Sequence, residues 1–150
     1  MKKINAFYRM LLVFSLVALA AKFSGAISWQ EVPLWIMVMV FFSAGVSHFT
    51  PLRHDFVKMI PPFFPAKTRM PLVYVTGVIE IAGAILLAIP QYRLLTSIFL
   101  VLFLLAVFPA NVYAAQKNIP FRGSRALSAP TRGIVQVLFI IALLIGGGVL

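Results

Sequence analysis

Met70–Tyr92 reads MPLVYVTGVIEIAGAILLAIPQY, twenty-three residues whose one charge is Glu80. A bilayer core of about 30 Å takes about 20 apolar residues in a helix, so this stretch is long enough to cross. Working outward, Pro33–Leu52 carries only His48 as an ionisable group and Leu94–Gln116 carries no charge. Gly133–Leu150 is charge-free as well, although Gly146, Gly147 and Gly148 should loosen its last turn. A fifth segment, Met10–Ala21, is too short unless it extends to about Ile27 with Lys22 snorkelling to the interface.

Composition agrees with a membrane reading. Of 150 residues, 62% are apolar and 11% charged, against about 45–50% and about 25% in soluble domains. The mean hydropathy is +1.03, and a soluble domain this small has no interior volume to hide such a surplus. The net charge of +10 does not mark a nucleic-acid footprint, because the cations punctuate the apolar runs instead of clustering. There is no cysteine, which excludes disulfides, thiolate nucleophiles and iron–sulfur ligation within the chain.

These segments predict an all-α, polytopic transmembrane bundle: an N-terminal hydrophobic helix and outer loop over 1–32, then a four-helix core over 33–150. The first segment has two readings, a retained span or a signal peptide with Lys2, Lys3 and Arg9 as its basic start and Ser24-Gly25-Ala26 as its cleavage site. Four core helices survive either way. With five spans and the N-terminus in the cytoplasm, Lys2, Lys3, Arg9, Arg53, Lys58, Lys67, Arg69, Lys117, Arg122, Arg125 and Arg132 fall inside. Only Lys22 and Arg93 remain outside, as the positive-inside rule requires, and the C-terminus is outside.

The link from Ile89 to Leu94 is nearly a tight turn through Pro90, so the helices it joins are antiparallel neighbours. In the longer loop Pro51–Pro71, Leu52–Ile60 suits a short helix with Leu52, Phe56, Met59 and Ile60 on its apolar side, stopped by Pro61-Pro62. It is either a solvated linker or a lid on the bundle's cytoplasmic mouth, with Arg53 and Asp55 just below that mouth. Asp55 near the helix start is first a dipole interaction. Trp29, Trp35, Tyr92 and Tyr113 lie at predicted boundaries, as interfacial anchors do.

Ionisable groups within spans are functional candidates. Glu80 lies about eight residues into a helix expected to start near Val73, roughly 12 Å along its axis, too deep to snorkel, so its carboxyl must be protonated or paired with a donor. Thr76 precedes it by one turn. Gly77, Gly83, Ala84 and Ala88 suit close helix packing. His48, Glu80, Asn111 and Gln136 all fall in the cytoplasmic half and could share a pocket; separate interhelical hydrogen bonds are the alternative. Pro109 should kink its helix and free the carbonyl of Leu105. The two histidines lack the partners of a haem or di-iron site, no metal set is evident, and no phosphate loop or nucleophile elbow appears.

Gly45–Phe49 (GVSHF), Phe56–Pro65 (FVKMIPPFFP), Val73–Ala84 (VYVTGVIEIAGA) and Ala106–Tyr113 (AVFPANVY) together resemble the DoxX family over roughly 33–150. The resemblance implies a four-helix bundle of the bacterial inner membrane. It singles out His48, Phe49, Met59, Pro61, Pro62, Glu80, Pro109 and Asn111, and departs from the family at the extra N-terminal segment. It also implies an accessory subunit of a membrane oxidoreductase system. In that reading a quinone would be the bound lipophile, since the chain has no intrinsic cofactor: His48 bonds a carbonyl, Glu80 holds or relays a proton and Asn111 orients the headgroup. Two other classes stand beside it. One is a scaffold or assembly factor without a ligand; the other is a small transporter or proton pathway, which lacks inverted repeats.

Overall fold

The computed structural model describes residues 6–121, 123 and 127–150. Lys2, Lys3, Arg122 and Arg125, counted above on the cytoplasmic side, lie outside the described residues. Among the described residues the regular structure is helical: α1 (Ala6–Phe23), α2 (Glu31–Ser47), α3 (Arg53–Met59), α4 (Ala66–Ala88), α5 (Arg93–Gln116) and α6 (Ala129–Gly146), with a 3₁₀ turn at Pro90–Tyr92. Three of the spans are long and apolar enough to cross a membrane, Ala66–Ala88, Pro90–Gln116 and Ala129–Gly146, consistent with a membrane protein; α2 is apolar but shorter.

Helix ends follow local chemistry. Ile89 is extended (ψ 116°), as a residue before proline prefers, and Pro90 opens the 3₁₀ turn that leads into α5. The Ser128 hydroxyl accepts from the Thr131 backbone N–H at 3.4 Å and Pro130 sits in the first turn, so α6 begins at Ala129, four residues before the expected Gly133. It ends at Gly146, as the glycines suggested. The start expected near Val73 is corrected to Ala66: α4 runs back through Pro71, whose missing N–H leaves the Lys67 carbonyl free only in the first two turns.

Helices α2, α4, α5 and α6 close a ring in which each packs on two others, α1 docks outside on α2, and α3 lies across one end against α4 and α5. Leu34, Met37, Phe41, Leu87, Leu100 and Leu143 fill the ring. The outward faces stay apolar and exposed, with Leu95 at 72% and Ile134 at 63%, as a lipid-facing surface requires.

Small residues set the helix spacing. A Cβ on Gly45 would lie 2.8 Å from the Gly77 carbonyl oxygen and 2.9 Å from the Ile81 nitrogen, and one on Gly77 would meet the His48 Cβ at 2.6 Å. Helices α2 and α4 therefore touch backbone to backbone. At the other end, a Cβ on Gly146 would lie 2.9 Å from the Leu34 Cα, so the terminal glycines of α6 serve packing as well as termination.

Candidate functional site: two polar clusters beside an apolar cavity

The close α2–α4 crossing brings the His48 ring onto the α4 backbone. Its Nδ1 lies 2.7 Å from the Val73 carbonyl oxygen. A carbonyl only accepts, so Nδ1 carries the proton. The Thr76 hydroxyl, 3.2 Å from the same nitrogen, lies 3.0 Å from the Leu72 and Val73 carbonyls and donates to the backbone there. With Nδ1 fixed, Nε2 faces Glu80, whose Oε2 lies 3.3 Å away. That spacing is within ion-pair range but off hydrogen-bond alignment, and Oε2 has no aligned partner among the described residues. The pair has room for one proton between Nε2 and Oε2, held either as imidazolium–carboxylate or as a protonated carboxyl facing a bare nitrogen.

A second cluster joins α5 to α6. The Arg132 Nη1 donates to Asn111 Oδ1 at 3.0 Å and its Nε donates to the Leu127 carbonyl at 3.3 Å. One turn further along α6, Gln136 Nε2 donates to the Leu104 carbonyl at 3.1 Å. The carbonyl that meets α6 is thus that of Leu104, one residue before the Leu105 carbonyl that Pro109 was expected to free.

Between these clusters lies a cavity of about 240 Å³, whose apolar wall includes Val40, Phe56, Met59, Leu104 and Phe139, with Asn111, Arg132 and Gln136 among its lining. Phe7 and Met10 of α1 also line it. Helix α3 is thus a cover rather than a free linker. Phe56 stacks on His48 with ring centroids 3.9 Å apart and packs on Phe121 at 4.9 Å.

His48, Glu80, Asn111 and Gln136 therefore do not form one constellation. His48, Glu80 and Thr76 close on each other behind the Phe56 ring, while Asn111 and Gln136 face the cavity. Of the residues expected at the mouth, Phe56 and Met59 line the cavity. Asp55 sits in the first turn of α3 and pairs with Lys58 at 3.3 Å, Arg53 opens α3 outside the cavity lining, and Pro61 is buried just past its end. Pro62 is exposed, and its carbonyl accepts from Arg69 Nη2 at 3.4 Å.

Sequence reasoning counted Arg132 only as a topology cation, because the helix was started one residue too late to include it. The signal was the Ser128–Thr131 cap, which places Arg132 and Gln136 four apart on one face. A second missed pair, Glu31 with Arg93 at 3.3 Å, ties the starts of α2 and α5 together at the opposite end.

A family model described as a domain of unknown function, DUF8561, matches residues 37–145. No curated protein and no solved structure matches the chain.

Proposed function

The chain belongs to the DUF8561 family, a domain of unknown function, and we propose from its geometry that it is a membrane-embedded binding protein for one lipophilic molecule carrying acceptor oxygens. The observation that carries this reading is the cavity: apolar walls with Arg132 and Asn111 together in its lining, under a cover made by Phe56 and Met59. Pockets for small ligands combine an apolar lining with a few placed polar groups in this way. A cavity of 150 Å³ holds benzene, so about 240 Å³ takes one ring or one chain.

A quinone carbonyl belongs to this ligand class, and the DoxX-like motifs support a quinone in an accessory subunit beside oxidoreductase partners. The roles differ from those first expected. Arg132 and Asn111 would meet the head, whereas His48 and Glu80 are engaged with each other. The cation bias at the α3 end supports a bacterial inner-membrane location with that end in the cytoplasm, the N-terminus inside and the C-terminus outside.

One observation favours a scaffold instead: His48–Val73, Arg132–Asn111 and Gln136–Leu104 each join two helices. Native mass spectrometry with lipid extraction separates the two readings. A lipophile retained by the wild type and lost from Ala44→Leu, which fills the cavity, is the expected result. Equal retention by a folded Ala44→Leu variant, or no lipophile retained or rebound by the wild type, would leave the scaffold.

A further inference from the structure

Acceptor oxygens alone admit either a neutral or a charged headgroup in the cavity. We infer that the head is a carboxylate: the cavity takes a single-chain or single-ring anionic amphiphile, with Arg132 as its counterion. This rests on the cavity binding a lipophile at all.

A charge balance carries the inference. The chain has three acids, and each is placed elsewhere. Glu31 pairs with Arg93 at the far end, Glu80 faces His48 behind Phe56, and Asp55 pairs with Lys58 on α3. None of them lines the cavity. Arg132 is half-buried there, bonded to an amide oxygen and a backbone carbonyl, which satisfy N–H groups but carry no opposite charge. A guanidinium in an apolar setting calls for an anion.

The hydrogen-bond geometry points the same way. A guanidinium has no acceptor, so Asn111 must turn Oδ1 towards it and leave its NH₂ for other partners. Between them, the remaining N–H groups of Arg132 and the Asn111 NH₂ thus offer only donors, as a carboxylate requires. The first turn of α6, in which Arg132 sits, adds the positive end of a helix dipole. The volume admits one chain and excludes a two-chain phospholipid from entering whole.

The test is calorimetry on the full chain in an uncharged maltoside detergent, with dodecanoate, dodecanol, a short-chain ubiquinone analogue and phosphatidylglycerol as probes. Dodecanoate should bind at least about tenfold tighter than dodecanol, the scale of a charge-assisted bond. Arg132→Gln, which removes the charge and keeps an amide donor, should abolish that preference while leaving dodecanol binding in place. Lys117→Gln, at an exposed cation outside the cavity, should keep the preference. Equal binding of dodecanol or the quinone analogue would overturn the carboxylate assignment and leave the lipophile reading standing. Phosphatidylglycerol binding better than dodecanoate would assign Arg132 to bilayer headgroups and overturn it too. Failure of every probe to bind the wild type would overturn the lipophile reading itself. Should Arg132→Gln fail to fold, Asn111→Leu carries the same comparison, with weaker dodecanoate binding expected and unchanged dodecanoate binding counting against the assignment.

Discussion

Replacing Gly45 by alanine puts a methyl group where α2 and α4 touch. Its Cβ would meet the Gly77 carbonyl oxygen at 2.8 Å and the Ile81 nitrogen at 2.9 Å, about half an ångström inside ordinary contact. Both are backbone atoms, so no rotamer change relieves the clash and the helices must separate. Overpacking of this kind costs about 1–3 kcal/mol. Separation also stretches the His48–Val73 bond and the His48–Glu80 contact, now 2.7 and 3.3 Å, and interhelical polar contacts in membranes average about 0.6 kcal/mol each. The gain in helix propensity from Gly to Ala, at most about 1 kcal/mol, offsets part of this.

Gly133→Ala supplies the control, since its added Cβ would find only the Phe108 ring edge, at 4.0 Å. It keeps the propensity gain and meets no clash. In reversible unfolding from mixed maltoside and dodecyl sulfate micelles, followed by helical circular dichroism, Gly45→Ala should be less stable than Gly133→Ala by about 2–3 kcal/mol. Stabilities equal to within about 0.5 kcal/mol would refute the backbone-to-backbone crossing, and with it the reason His48 reaches α4.

Two further outcomes follow from the same geometry. Glu80→Gln keeps a donor facing His48 Nε2 and should cost under about 1 kcal/mol, whereas Glu80→Ala leaves that buried nitrogen unpaired and should cost about 1–3 kcal/mol in the same unfolding assay; equal losses would mean that the carboxylate charge itself is needed. Because the chain has no cysteine, single cysteines report topology without background: Lys58→Cys and Lys117→Cys should react with an impermeant maleimide only after cells are opened, and Gln91→Cys in intact spheroplasts, the reverse pattern contradicting the orientation drawn from the charge bias.

The all-helical fold was legible because charge-free intervals of spanning length are a coarse signal that tertiary context does not override. Proline chemistry likewise located the turn at Pro90 and the end of α3. Helix starts were harder. Pro71 looked like the end of a loop, and α6 was begun at Gly133 after the last charge, yet α4 runs through Pro71 and α6 takes Pro130 into its first turn, where a missing N–H leaves little unsatisfied. The late start given to α6 hid Arg132. Depth along the membrane placed His48, Glu80, Asn111 and Gln136 at similar levels, but depth carries no azimuth. The Gly45–Gly77 approach and the Phe56 ring hold His48 beside Glu80, whereas α5–α6 bonds turn Asn111 to Arg132 and Gln136 to the Leu104 carbonyl, all of them contacts between segments distant in sequence.

The central claim, that a lipophile enters the cavity beneath α3 between α1, α2, α5 and α6, is tested most directly by photolabelling with a diazirine-bearing dodecanoate and mapping the adducts. Labelling concentrated on Val40, Met59 and Phe139, and suppressed by excess dodecanoate, is the expected result. Adducts spread over the outward face at Ile134, Leu138 and Leu95, with no suppression, would show the probe in bulk lipid or detergent and would contradict an internal binding site.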